Sequence, residues 1–211
     1  MRDAMVFLGS AGLALALAAA PARADDSVDC LTQSVKAETR VAACTRVIDG
    51  GTTMGAQLAA AYYGRGAARA ELGQYNDAIA DYTAAIEIKA DYADAFYARG
   101  NVFLQKPDYP KAIADYDAAV KLKPDFADAF NNRAWAHFQA GEPAKGLPDA
   151  DRAVALGPRD PNALDTRAQI LKALDRKEEA IRDFRAALAL DPGAELKTSI
   201  LAALRELGVE P

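Results

Sequence analysis

Four arginines recur at intervals of 34 residues, Arg65, Arg99, Arg133 and Arg167, and each is followed sixteen residues later by an aspartate: Asp81, Asp115, Asp149 or Asp183. A guanidinium is a planar fork of donors that matches a carboxylate or a phosphate. Two chemistries fit the pattern: internal guanidinium–carboxylate pairs, or a stripe of four cations for an anionic ligand. The matched aspartates would neutralise such a stripe, so the spacing predicts a ladder of ion pairs. The rest of the reactive inventory is small. Cys30 and Cys44 are the only cysteines and His137 the only histidine in 211 residues. A histidine relay or a multi-ligand zinc site lacks its parts. Glycine-rich phosphate loops, nucleophile elbows and metal-ligand spacings are absent, so the expectation is a non-enzyme with no catalytic residue, no metal and no cofactor.

Composition narrows the partners. With 51% hydrophobic and 26% charged residues the chain has the make-up of a folded domain. Lys and Arg number 25 against 30 Asp and Glu, a formal charge of −5, which argues against nucleic-acid binding and adhesion to anionic lipid. Near the start, an apolar stretch from Val6 to Ala20 is interrupted by Gly9, Ser10 and Gly12 and leads into Pro21-Ala22-Arg23-Ala24. It is too short to cross a membrane as a helix, and Ala22-Arg23-Ala24 supplies a small-x-small cleavage site. Residues 1–24 are expected to be a signal peptide cut after Ala24, or alternatively after Ala22, leaving a periplasmic or secreted protein with no membrane insertion. The competing reading is a buried N-terminal helix of a cytosolic protein.

In an oxidising compartment Cys30 and Cys44, with no other thiol to compete, are expected to form a disulfide; two unpaired buried thiols are the alternative. Short helices over 27–36 and 40–48, with a turn at Ala37-Glu38-Thr39, would be stapled by that bond, which for a ring of this length contributes about 3 kcal/mol.

The elements that position these residues are repeats. Tyr75-Asn76-Asp77-Ala78-Ile79-Ala80-Asp81-Tyr82 aligns with Tyr109-Pro110-Lys111-Ala112-Ile113-Ala114-Asp115-Tyr116, and the shift of 34 continues without insertion through units 59–92, 93–126, 127–160 and 161–194. Position 4 holds Tyr62, Phe96, Phe130 and Leu164; position 8 holds Gly66, Gly100, Ala134 and Ala168; position 20 holds Ala78, Ala112, Gly146 and Ala180. Tyr82, Tyr116, Ala150 and Phe184 fill position 24, position 27 is always Ala, and Pro124, Pro158 and Pro192 fill position 32. Each unit divides into two amphipathic stretches at Gly73, Pro107, Gly141 or Asp175, and the small residues allow close helix pairing.

In period and residue classes the chain resembles the tetratricopeptide repeats over 136 of its 211 residues. The resemblance implies an all-α fold, a right-handed α-solenoid of stacked antiparallel helix pairs with a concave groove. Residues 25–58 read as an atypical first helix pair. Residues 195–211 read as a capping helix whose Ile200, Leu201, Leu204 and Leu207 share a face closed by Gly208. With both ends covered, a monomer is expected.

The resemblance also implies that positions 2, 5, 6, 9, 12 and 13 of each first helix face a ligand. Those positions give Tyr63, Tyr97, Asn101, Asn131, Asn132, Trp135, Phe138 and Gln169 as candidate groove residues. Amides can pair with the backbone of an extended peptide, and aromatics supply rigid apolar area. Family members that grip a terminal carboxylate use Lys, Arg and Asn here; this chain has Asp94 and Asp128 at position 2 and Asn131 at position 5 of unit three, which suits a neutral or mildly basic strand. The expected function is an envelope adaptor that binds a peptide tail or loop of another protein, with a carrier of a small molecule or glycan as the alternative. Pro148, with Gly146 beside it, predicts a late start or a bend in the second helix of unit three, and His137 reads as a structural imidazole.

Overall fold

The structure is a computed structural model and describes residues 24–210. Apart from Ala24, the expected signal peptide lies outside the described residues. Among them are eleven helices and no strand: α1 Ala24–Leu31, α2 Ala37–Asp49, α3 Gly55–Glu71, α4 Tyr75–Ile88, α5 Ala93–Gln105, α6 Tyr109–Leu122, α7 Ala127–Gln139, α8 Pro143–Leu156, α9 Pro161–Ala173, α10 Lys177–Ala189 and α11 Ala194–Glu206. The period of 34 is visible in the starts of the second helices at Tyr75, Tyr109, Pro143 and Lys177. Sequential helices pack together, and α3, α5, α7 and α9 also touch in order, whereas α4, α6, α8 and α10 do not touch one another. First helices therefore form the inner layer of a curved stack and second helices splay outward. The molecule is an α-solenoid.

Each unit closes on a tight turn at position 15. Gly73, Gly141 and Asp175 have φ of +71°, +78° and +59°, the left-handed conformation that ends a helix. The N–H three residues past each helix end returns to the last turn: Gln74 to Arg69, Asp108 to Phe103, Glu142 to His137 and Arg176 to Leu171, all at 2.9 Å. Pro107 occupies this position in unit two with φ +25°. A proline ring prefers φ near −65° and has no N–H, so the second turn bond, made by Gly73, Gly141 and Asp175 to Ala70, Phe138 and Lys172, is missing there.

Inside a unit, a small residue meets an aromatic. A Cβ on Gly66 would stand 2.9 Å from the Tyr82 ring, and one on Gly100 would stand 2.8 Å from Tyr116. Unit three moves the close approach to the other helix: a Cβ on Gly146 would lie 2.7 Å from the Ala134 carbonyl, and Ala150 replaces the aromatic. The expected late start of α8 does not occur. The helix begins at Pro143 and runs through Pro148, which is exposed. Its first turn is loosened instead, with Lys145 N–H bonding Glu142 O at 3.0 Å and Gly146 N–H reaching the same oxygen at 3.4 Å.

The arginines lie where three helices meet. Arg99 donates from Nε to Asp115 Oδ2 at 2.8 Å and from Nη2 to Oδ1 at 2.7 Å. Arg133 and Arg167 hold Asp149 and Asp183 in the same two-pronged way, and Arg65 holds Asp81 through Nε and Nη2. The remaining Nη1 of each arginine reaches back to the second helix of the preceding pair: Thr45 at 3.2 Å, Thr83 at 2.8 Å, Asp117 at 2.6 Å and Asp151 at 3.2 Å. Tyr62, Phe96 and Phe130 lie under the guanidinium carbons of Arg65, Arg99 and Arg133 at 5.4, 5.7 and 5.5 Å.

The ends differ. At the C-terminal end α11 buries Ile200, Ala203 and Leu204 against Leu164, Leu171 and Phe184. Gly208, at φ +75°, closes the helix, with Val209 N–H on Leu204 O at 3.0 Å. At the other end Cys30 and Cys44 are joined with a Cα separation of 4.7 Å, and Arg46 pairs with the buried Asp26 across α1 and α2. The expected boundaries here need correction: Ala37, Glu38 and Thr39 begin α2 rather than forming the turn, which spans residues 32–36, and Gly55 opens α3 rather than ending a loose connector. Among the described residues this end is not sealed. Val28, Leu31 and Met54 are 65%, 55% and 76% exposed, because α1 is too short to cover the face that α11 covers at the opposite end.

Two outcomes follow. Asp115→Ala, which strands the Arg99 guanidinium, should cost about 3 kcal/mol in urea unfolding; a cost within error of zero would show that the pair contributes nothing. Pro107→Gly should stabilise the chain by about 1 kcal/mol, opposite to the usual sign of that substitution, and a lower urea midpoint would refute the strained turn.

Candidate functional site

The concave face is built from one stripe of residues on each of α3, α5, α7 and α9, which the inner packing of those helices holds side by side. Tyr63 stands between Tyr82 and Tyr92, the last residue of the same unit, with ring centroids 5.8 and 5.2 Å away. Tyr97 repeats the arrangement with Tyr116 at 6.0 Å and Phe126 at 4.7 Å. Burial raises both phenols above the usual tyrosine value, with Asp94 adding to the rise at Tyr63 and Asp128 at Tyr97, where hydrogen bonds from Asn101 and Asn132 oppose it. Each of these tyrosines therefore has an aspartate of the following unit as its neighbour.

The amides are tied together across the boundary between units two and three. Tyr116 donates its hydroxyl to Asn101 Oδ1 at 2.7 Å, and Asn132 Nδ2 donates to the same oxygen at 2.9 Å and to the Tyr97 hydroxyl at 3.2 Å. Asn131 Nδ2 donates to Asn132 Oδ1 at 3.2 Å, while Asn131 Oδ1 is buried without a hydrogen-bond partner. The expectation of amides free to pair with a ligand backbone is modified accordingly: half-buried amides must first satisfy one another. Trp135 has a different setting. Its ring meets Phe138 at 5.1 Å, and it belongs to none of the core clusters that absorb the tyrosines, while Phe138 packs on Ala134, Ala150 and Ile170. Between the first two units a depression of about 250 Å³ is lined by Ala70, Tyr75, Tyr82, Ala98, Asn101, Val102 and Gln105.

At the far end of the face Gln169 Nε2 is 3.4 Å from Asp165 Oδ1. Burial pushes the Asp165 carboxyl up to about 6, against a small opposing effect of that amide. Lys172 is paired with Glu206. His137 lies outside this face, with Nδ1 3.2 Å from Glu142 Oε2. Among the described residues no group of His, Cys, Asp and Glu side chains could hold a metal ion.

Sequence reasoning missed two sets of residues. The second partners of the arginines, Thr83, Asp117 and Asp151, stand sixteen residues before Arg99, Arg133 and Arg167, a hydrogen-bonding residue at position 25 of units one to three. Tyr92 and Phe126, which back the groove tyrosines, are both at position 34.

Comparison with known proteins settles the nature of the units. The family described as "TPR repeat" matches residues 66–107 and 100–141, and "Tetratricopeptide repeat" matches 161–194. The chain carries tetratricopeptide repeats. Solved structures share the repeat fold at low identity. MamA from Desulfovibrio magneticus RS-1 superposes with a TM-score of 0.70 at 21% identity, covering 78% of this chain and 90% of that one. YrrB, described as a TPR protein with an unusual peptide-binding site, has a TM-score of 0.66 at 19% identity over 80% and 84% of the two chains. The first TPR of Spaghetti (RPAP3), bound to an HSP90 peptide, has 0.56 at 22% over 59% and 99%. No curated protein matches the chain significantly.

The Asp165 carboxyl sets a pH dependence for this repeat array. Its folded-state pKa lies above the unfolded value of 3.8, so the folded state favours the protonated form and stability falls as pH rises between the two values. Asp165→Asn should stabilise the array above about pH 6, by about 1–2 kcal/mol after allowance for partial exposure. The gain should vanish towards about pH 4; equal stability of the two chains at about pH 7.5 would refute the burial of that charge.

Proposed function

We propose that the chain is a non-catalytic protein-interaction adaptor of the bacterial cell envelope, a scaffold that holds a peptide tail or exposed loop of another protein along its concave face. One observation carries this reading: Tyr63, Tyr97, Asn132 and Trp135, with Asp94 and Asp128, come from consecutive first helices onto one continuous inner face. An extended strand lying across the helices meets a new pair of side chains at every unit. The RPAP3 repeat is bound to a peptide, and YrrB is described as having a peptide-binding site, which supports the same use of the fold here. The groove depression, about 250 Å³ and open, is smaller than the roughly 300–1,000 Å³ of small-molecule pockets, which favours a peptide over a carried metabolite or glycan.

The envelope location rests on the apolar segment before Ala24 and on the Cys30–Cys44 bond, which an oxidising compartment sustains. The protein acts as a monomer, its C-terminal end closed by α11, and binds neither nucleic acid nor membrane.

A photo-crosslinking amino acid at Trp135, in the native cell, should capture a discrete protein partner. The same group at Arg182, exposed on the outer α10, should not. Adducts only from position 182, or equally from both, would overturn the groove assignment, and a small-molecule adduct in native mass spectrometry would favour a carrier. N-terminal sequencing of the isolated protein should begin at Asp25.

A further inference from the structure

The groove has a sign as well as a shape. Tyr92 precedes α5 as its N-cap and packs on Tyr63, and Asp94 is the second residue of that helix. Phe126 precedes α7, packs on Tyr97, and is followed by Asp128. The two unit boundaries thus carry the same arrangement, a phenol of one unit beside a carboxylate of the next. Both aspartates are exposed, and among the described residues neither takes part in an ion pair. Of the inner-face positions of the four units, the basic one is Lys172, already engaged by Glu206. Lys89 and Lys123 lie over the Tyr92 and Phe126 rings at 4.7 and 4.3 Å without forming an ion pair with either aspartate, so each boundary keeps a carboxylate without an ion pair beside a phenol oxygen, and both oxygen types accept hydrogen bonds from an ammonium or guanidinium.

Helix packing sets the distance between the two boundaries. Packed helix axes lie about 8–10 Å apart, and a chain extended as a polyproline II helix advances about 3.1 Å per residue and returns every third side chain to the same face, so one unit corresponds to about three residues of ligand. We propose that the groove selects a basic extended peptide carrying two Lys or Arg side chains three positions apart, one received by Tyr63 and Asp94, the other by Tyr97 and Asp128. This deepens the adaptor reading and rests on it: the partner is a protein whose exposed tail or loop contains such a pair. Asp94 and Asp128 also stand in the first turns of their helices, where a negative charge is favourable. That role needs a carboxylate but not an unpaired one facing the groove, and unit four replaces it with Asn162 after an Asp160 cap.

The test uses the full chain and fluorescently labelled peptides in low salt, read by anisotropy: GSGKGGKGSG, the adjacent-lysine isomer GSGKKGGGSG, and GSGEGGEGSG. The spaced-lysine peptide should bind about five-fold more tightly than its isomer and far more tightly than the glutamate peptide. Asp94→Asn and Asp128→Asn should each weaken it by about two- to five-fold, while Asp125→Asn, an exposed loop change, should not. Equal binding of lysine and glutamate peptides, or full affinity in both variants, would overturn the cationic preference; equal binding of the two lysine isomers would overturn the spacing. The Trp135 crosslink is read without any synthetic peptide. A partner captured there with no lysine preference sinks this inference alone, whereas no capture sinks the groove reading beneath it.

Discussion

The structure depends on a charge that cannot be left alone. A guanidinium at position 7 of each unit sits where a helix pair meets the pair before it, and burying it unpaired would cost several kcal/mol. Two partners on two other helices remove that penalty, a two-pronged aspartate on the unit's own second helix and a hydroxyl or carboxylate on the preceding one, and in three units an aromatic face from position 4 of the arginine's own helix adds to them. Because the partners come from different helices, the clamp is complete only when a unit is both folded and docked. Arg65, Arg99, Arg133 and Arg167 thus turn a generic apolar stack, which could slide, into one with a fixed register. The Arg46–Asp26 pair does a related task in α1 and α2 with the charges exchanged between helices, and the disulfide adds a covalent tie where α1 is too short to bury much apolar surface.

That register in turn decides what the inner face can do. Tyr63 and Tyr97 are each backed by two aromatic rings of their own unit, so their phenol groups are held in place before any ligand arrives. Preorganisation of this kind lowers the entropic cost of binding. The same packing takes the tyrosine faces out of play, which moves recognition from stacking towards hydrogen bonding and charge. The amide network of Asn101, Asn131 and Asn132 carries the same logic, since groups tied across a boundary stiffen it while giving up part of their capacity to bind.

Much of this was legible in the sequence because the fold repeats. A shift of 34 residues exposed the helix pairs, the small–aromatic contacts and the arginine–aspartate spacing. Each of these is a contact within one unit or between fixed offsets. What could not be read were contacts set by stacking geometry. Thr83, Asp117 and Asp151 look like ordinary outward polar residues until the neighbouring pair docks, and Tyr92 and Phe126 look like loop residues. Where the period fails, so did the boundaries: α1 and α2 have their own lengths, and the turn lies at residues 32–36 rather than at Ala37-Glu38-Thr39. Pro148 misled for a different reason. An exposed proline in the second turn of a helix removes a single backbone donor, and water can satisfy the carbonyl it frees, so α8 loosens its first turn without breaking.

Departures from the repeat fall mainly in unit three, and they bear on function. An array whose only requirement was to stack would be best served by identical units, since each contact could then be copied. Unit three instead gives up the core aromatic for Ala150, shifts the close approach to Gly146, and places Trp135 on the inner face apart from the core clusters. Trp135 is not needed to fill the space these changes leave, because Ile170 and Leu147 occupy that part of the core. A large aromatic held at an inner surface, in a unit whose core clusters do not include it, is spent on something other than stability. Beside it lie the amide network and the two tyrosine–aspartate boundaries, so the irregular unit adjoins the charged ones, and a peptide of the proposed kind would pass from an apolar contact in unit three to the carboxylates at the two boundaries.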